Sequence, residues 1–351
     1  MPSCSDMRVL LRLVLLSCVM LFTPLAWSAD SGGAKEQAQR QLDQPLNNAP
    51  VWTDVRRGEN PYQTTQVRGV ETSVLVQPQG ETWRQIRNGP ITIYGGWLVL
   101  LVAAAIGVFF WRKGAIKLHG TPTGRKIERF SPWDRLVHWA TAISFVILAL
   151  SGLVILFGKY VLLPLFGYTL FSWLAVLSKN LHNFVGPLFA VCTVLMFITF
   201  VRHNLPRLYD LHWFAKAGGL FTGEHVSSGK FNAGEKSWFW FGVTFLGLIV
   251  SVTGFILDFP NFAQGRAVMQ QASVIHAVAA VLFIAMSLGH IYLGTIGVEG
   301  AYEAMRNDGK VDETWAKEHH EFWYNEVKGG KVGGKSPSAA RASAMKEGWK
   351  L

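Results

Sequence analysis

Four histidines stand inside or at the ends of apolar runs long enough to cross a bilayer, and few folds can accommodate that combination. The runs cover about 93–111, 136–157, 183–201, 238–257 and 273–296, and about 20 apolar residues suffice for a membrane-spanning helix. Of the 351 residues, 50% are hydrophobic and 16% charged, which fits an integral membrane protein with polar ends better than a soluble enzyme. His138, His276 and His290 lie within the runs and His182 stands at the start of one, whereas His119, His203, His212, His225, His319 and His320 fall in loops or at the water boundary. An ionisable or ligand-type side chain within a span is costly and by default marks a functional site.

The charge distribution orders these spans. Residues 1–28 read as a secretory signal: Arg8 and Arg12 precede an apolar stretch from Leu13 to Phe22, and Ala26 and Ser28 are small residues placed for cleavage near Ala29. The competing reading is an uncleaved anchor helix. The following segment, 29–92, is polar and lacks the periodicity of an independent core, so it reads as a periplasmic arm. With five spans and an outside start, the inside segments 112–135, 202–236 and 297–351 hold seven, five and nine Lys/Arg. The outside loops 158–182 and 258–272 hold two and one. Val161 to Leu177 is apolar enough to suggest a sixth span, but that span would place the basic tail outside, against the positive-inside rule. It reads instead as an interfacial segment. The formal net charge of +10 therefore reports topology in a bacterial inner membrane, with a cytoplasmic C-terminus, rather than a nucleic-acid partner.

In this topology His138 and His290 share the cytoplasmic side of the bilayer, and His182 and His276 the periplasmic side. His276 and His290 are 14 residues apart, which on a helix puts them within roughly 40° of one face and about 21 Å apart along the axis. One helix thus supplies a residue to each of two stacked sites. Two His–His pairs are what two b-type haems need, since neutral imidazole is a good iron ligand and axial ligation helps set haem potential. Cys4, Cys18 and Cys192 offer no metal-ligand spacing. A hydrogen-bonded packing role is the plainer reading of any single membrane histidine. A proton relay is another, though the span interiors contain no Asp or Glu to share it. His203 is a rival ligand, but it lies about 31 Å along a helix from His182, past the hydrocarbon edge. Gly186, one turn beyond His182, would let a flat macrocycle approach the backbone. Gly242, Gly247, Ser251 and Gly254 suit close helix packing. Arg135, one turn before His138, is either a positive-inside anchor or a haem-propionate partner.

The stretches FSPWDRLVHWATAISFVILALSGL, LHNFVGPLFA, RHNLPRLYDLHWF, GKFNAGEK, VIHAVAA, GHIYLG and WAKEHHEFWYNEV occur in that order. This set resembles the gamma subunit of respiratory formate dehydrogenase, a membrane cytochrome b, over roughly residues 130–328. The resemblance implies an all-α integral membrane protein: a four-helix di-haem cytochrome b bundle at 130–300, here with an extra N-terminal transmembrane helix at 93–111 and a basic cytoplasmic tail at 301–351. It implies His138, His182, His276 and His290 as axial ligands of two haems b, and a quinone site at Asn232, Gly234 and His290. On its own KFNAGEK is only a polar loop with turn-forming residues. The resemblance further implies a periplasmic catalytic subunit and an iron–sulfur subunit as partners, and no substrate-converting site in this chain. The cytochrome b of another periplasmic oxidoreductase, of hydrogenase or thiosulfate reductase type, and a haem-free membrane anchor remain as alternatives.

Overall fold

The computed structural model describes residues 56–57 and 78–332, apart from 221, 225, 263 and 307. The signal expected at 1–28, most of the expected polar arm and the tail beyond 332 lie outside the described residues. Helix α1 (Pro78–Ile86) passes through a π-helical turn at Arg87–Ile91 into α2 (Thr92–Lys113). Pro90 has no N–H to give the turn, and the Thr92 hydroxyl donates to the Arg87 carbonyl at 2.7 Å. Among the described residues, four continuous helical segments are long and apolar enough to cross a membrane: Gly80–Lys113, Pro132–His203, Ala233–Asp258 and Arg266–Gly297.

The second of these is a hairpin. Ser131 caps its start, accepting from the Asp134 N–H while the Asp134 carboxylate accepts from the Ser131 N–H, and Pro132 occupies the first turn. The helix then breaks at Gly167, whose φ of 71° and ψ of 177° interrupt the helical backbone at a conformation that favours glycine. The two arms, α3 (132–166) and α4 (168–200), run antiparallel. Trp133 meets Thr199, Thr141 meets the Cys192 carbonyl, and Phe145 meets Phe189. A side chain at Gly158 would strike Phe171. The segment 161–177, expected at the interface, forms the tip of this hairpin and is helical on both sides of the break.

A short helix, α5 (Leu208–Ala215), leads to α6 (Ala233–Ser237), which continues through a π-helical stretch, Trp238–Leu246, into α7 (Gly247–Asp258). Helix α8 (Arg266–Tyr292) returns antiparallel to α7. Helix α2 lies along α8, where a side chain at Gly95 would meet Val281 and where Phe109 and Phe110 meet Tyr292 edge-on. The bundle is apolar outward and small inward. Leu101, Leu150, Leu188, Phe245 and Leu248 are exposed, while Ser144, Ser151, Thr193, Ala279 and Ser287 are buried. Lipid supplies no hydrophobic drive between helices, so close approach over small residues does that work. The buried hydroxyls donate to the carbonyl four residues back, as Ser144 does to Ala140 and Ser287 to Phe283.

The first part of the expected C-terminal tail is folded. Strand β1 (Lys126–Glu128) pairs antiparallel with β2 (Lys310–Asp312), with Ile127 opposite Val311. Helices α9 (Glu313–His319) and α10 (Glu321–Val332) follow. Ile127, Phe130, Val311, Trp315, Ala316 and Trp323 form one core with Val137, Phe200 and Phe239, so this layer covers the end of the bundle where α3 begins.

Candidate functional site

The four span histidines meet in the two pairs expected from depth. The His182 and His276 ring centres are 6.0 Å apart, and those of His138 and His290 are 6.3 Å apart. A first-row metal bonds a histidine nitrogen at about 2 Å, so two imidazoles on opposite sides of one iron place their ring centres about 6 Å apart. Helix α8 carries a member of each pair. Open space lies over Gly186, where no atom would come within 4 Å of an added side chain. The residues present therefore fit a flat group held between two imidazoles at each level. His203 is exposed in a short 3₁₀ turn after α4.

The His182/His276 pair is held alike on both sides. Ser151 of α3 lies 2.9 Å from His182 Nδ1, and Thr253 of α7 lies 3.0 Å from His276 Nδ1. Each hydroxyl has one proton and places it on the carbonyl four residues back, Ile147 at 2.7 Å and Ile249 at 2.6 Å. Each oxygen is therefore an acceptor, and each ring donates from Nδ1. That fixes the tautomer and leaves Nε2 unprotonated, so that on both rings this is the nitrogen able to bind a metal. The next residues, Gly152 and Gly254, leave room for the rings. An added side chain would come within 3.3 Å of His182 Cε1 or 3.4 Å of His276 Cε1. Gly254 thus makes room for a histidine rather than only for a neighbouring helix.

The His138/His290 pair is built differently. Trp238 lies flat on His290, with ring centres 4.9 Å apart and planes 12° apart. His138 Nδ1 is buried and has no hydrogen-bond partner among the described residues. Arg135 is tied to the Phe130 carbonyl at 2.8 Å, so its guanidinium already has a structural partner.

Between the two levels sits a cluster the sequence reading missed. Phe145, Phe189 and Phe283 pack together, with Phe145 and Phe283 4.7 Å apart and Phe189 6.1 and 6.2 Å from them. Each stands seven residues after a histidine (His138, His182 and His276), and Phe283 also stands seven before His290. Seven residues are close to two helical turns, so each phenylalanine falls in line with its histidine. That repeat was the readable signal.

Asn232 is the N-cap of α6. Its Oδ1 accepts from the Glu235 N–H at 2.9 Å, and the Glu235 carboxylate accepts from the Asn232 N–H at 2.8 Å. The same helix carries Trp238 on to His290. Gly234 accommodates Trp213, whose ring edge would lie 2.9 Å from an added side chain. Beside them Arg129 is buried and binds Glu235 at 3.0 Å, and Lys236 binds Asp210 at 2.8 Å. These partners satisfy charges that would be costly to leave alone at this depth.

Antiparallel apolar helices holding paired histidines at two levels define a membrane cytochrome b. The chain belongs to the prokaryotic cytochrome b561 family, whose model matches residues 129–306. It is 34% identical over 211 residues to the formate dehydrogenase cytochrome b556(fdo) subunit of Escherichia coli K12, covering 58% of this chain and 93% of that one. It is 35% identical over 205 residues to the nitrate-inducible formate dehydrogenase cytochrome b556(Fdn) subunit of the same organism, covering 55% and 88%. The formate dehydrogenase cytochrome b556 subunit of Haemophilus influenzae is 27% identical over 212 residues, covering 57% and 83%. Membership makes haem b the cofactor class and the chain a multi-pass membrane protein.

Proposed function

We propose that this chain is the di-haem membrane subunit of a formate dehydrogenase complex, carrying electrons from a periplasmic iron–sulfur subunit across the inner membrane to quinone. The observation that carries this reading is the pair of His–His distances, 6.0 and 6.3 Å, at two levels joined by one helix. His182 and His276 hold one haem, and His138 and His290 the other. Held there, haem would supply one-electron oxidation and reduction. The names of the similar proteins favour formate as the electron source, oxidised in a separate periplasmic subunit.

Quinone binds on the cytoplasmic side beside Asn232, Gly234 and His290. With Asn232 Oδ1 occupied by the cap, the Nδ2 amide is the group that donates to a quinone oxygen. The Lys/Arg distribution supports a periplasmic arm, a spanning α2 and a cytoplasmic C-terminus.

Reduced-minus-oxidised spectra and haem extraction on the purified complex test this. Two haems b per chain, reduced by formate, are expected. One haem or none refutes the di-haem reading. Reduction by hydrogen or by another donor, but not by formate, assigns the chain to a different oxidoreductase.

A further inference from the structure

We propose that Ser151 and Thr253 are positioning residues that set the His182/His276 site at a lower redox potential than the His138/His290 site. The proposal rests on the haem reading above and extends it to the order of the two sites.

The two pairs differ in what stands behind the rings. At the first pair both Nδ1–H groups donate to fixed acceptors, the Ser151 hydroxyl on one side and the Thr253 hydroxyl on the other. Donation from Nδ1 moves electron density to Nε2 and makes the imidazole a stronger base toward iron. A stronger base favours the ferric state, which lowers the potential. The arrangement is duplicated: Ser151–Gly152 on α3 and Thr253–Gly254 on α7 each present a hydroxyl followed by a bare backbone to the ring. Neither hydroxyl can turn to donate instead, because its proton is held by the carbonyl four residues back.

The second pair lacks this backing on one ring, since His138 Nδ1 has no partner among the described residues. A weaker base favours the ferrous state. An electron entering at His182/His276 therefore has a more favourable site about 20 Å away on the same helix.

Potentiometric titration of the intact complex, followed at the haem absorption bands, provides the test. Two one-electron waves are expected, and His276→Ala should remove the lower one. Ser151→Ala combined with Thr253→Val should shift the lower wave upward by roughly tenfold in the reduction equilibrium, about 59 mV for one electron. The upper wave should stay in place. Thr253→Ser keeps the hydroxyl and should leave both waves unmoved. If the double variant does not retain haem, Ser151→Ala and Thr253→Ala are titrated singly, with the same shift expected in smaller measure. Loss of the upper wave in His276→Ala, or an unmoved lower wave in the haem-containing hydroxyl variants, overturns the proposal. A wild-type complex without haem refutes the proposed function itself, and is distinguished at once by its featureless spectrum.

Discussion

Trp238 and His290 are stacked, with ring centres 4.9 Å apart and planes 12° apart, and Gly242 makes that stack possible. A side chain at Gly242 would come within 2.5 Å of the Trp238 ring carbons. The indole thus has one place to lie, between Gly242 and the imidazole. Gly242→Ala should displace it and disturb the His138/His290 site while sparing His182/His276. Low-temperature electron paramagnetic resonance on the complex checks this, with a change expected in one of the two low-spin haem signals.

The pairing itself makes a sharper demand. Alanine at His182 or His276 should remove one haem, alanine at His138 or His290 the other, and each variant should keep about half the wild-type haem. Haem content and difference spectra of the four variants measure this. Equivalent spectra from His182→Ala and His290→Ala would contradict the pairing.

For Asn232 the observed cap has to be separated from the proposed quinone contact. Replacing an N-cap residue by alanine costs about 1 kcal/mol, so Asn232→Ala mixes a structural loss with any loss of quinone binding. Asn232→Asp retains the cap but removes the amide donor. It should keep both haems and their reduction by formate, while haem reoxidation by quinone slows. Losing a hydrogen bond to a developing charge costs about 1.5–3 kcal/mol, or roughly ten- to a hundredfold in rate. Stopped-flow reoxidation with a quinone analogue reads this directly, and an unchanged rate would dismiss the quinone role.

His320 gives the layer at the bundle end a pH dependence. Burial, followed by the Arg129 guanidinium, pushes its imidazole down to about 3. The ring lies against Ser228, the Gly229 carbonyl and Trp315, with the Glu235 carboxylate 4.0 Å from Nε2. An unfolded histidine binds its proton near pH 6.5. Because the folded state resists that proton, stability falls as pH drops from about 6.5 toward 3. Hydrogen exchange across 301–332 should accelerate over that window, less steeply in His320→Asn.

Topology can be read with reporter fusions. Those after Arg202 and Tyr302 should report cytoplasm, and those within 165–178 periplasm. A cytoplasmic signal from 165–178 would mean that the hairpin tip at Gly167 does not emerge on the outer side.

The histidine pairing was legible because membrane depth and helical period are one-dimensional properties. Position along a span gives level, and a 14-residue interval gives face. The break at Gly167 has a sequence signal of the same kind, as Pro164 and Gly167 interrupt an otherwise continuous apolar run. The hydroxyls behind His182 and His276 were not legible, because Ser151 and Thr253 look like ordinary small residues until α3 meets α4 and α7 meets α8. The folded layer at 301–332 was read as a tail for another reason. Strands of three residues carry no usable alternation, and Ile127 finds Val311 across 184 positions. The cap at Asn232 could have been found, since an asparagine followed three residues later by glutamate is a helix-start signature.

Helix α8 also acts as a ruler. Because His276, Phe283 and His290 are spaced by sevens on one helix, the separation and alignment of the two levels are written into a single count of residues. Inserting one residue between His276 and His290 would turn one ring by about 100° relative to the other and lengthen the interval by only 1.5 Å. Alignment would be lost long before distance mattered. The chain therefore has no freedom to gain or lose a residue in these 15 positions.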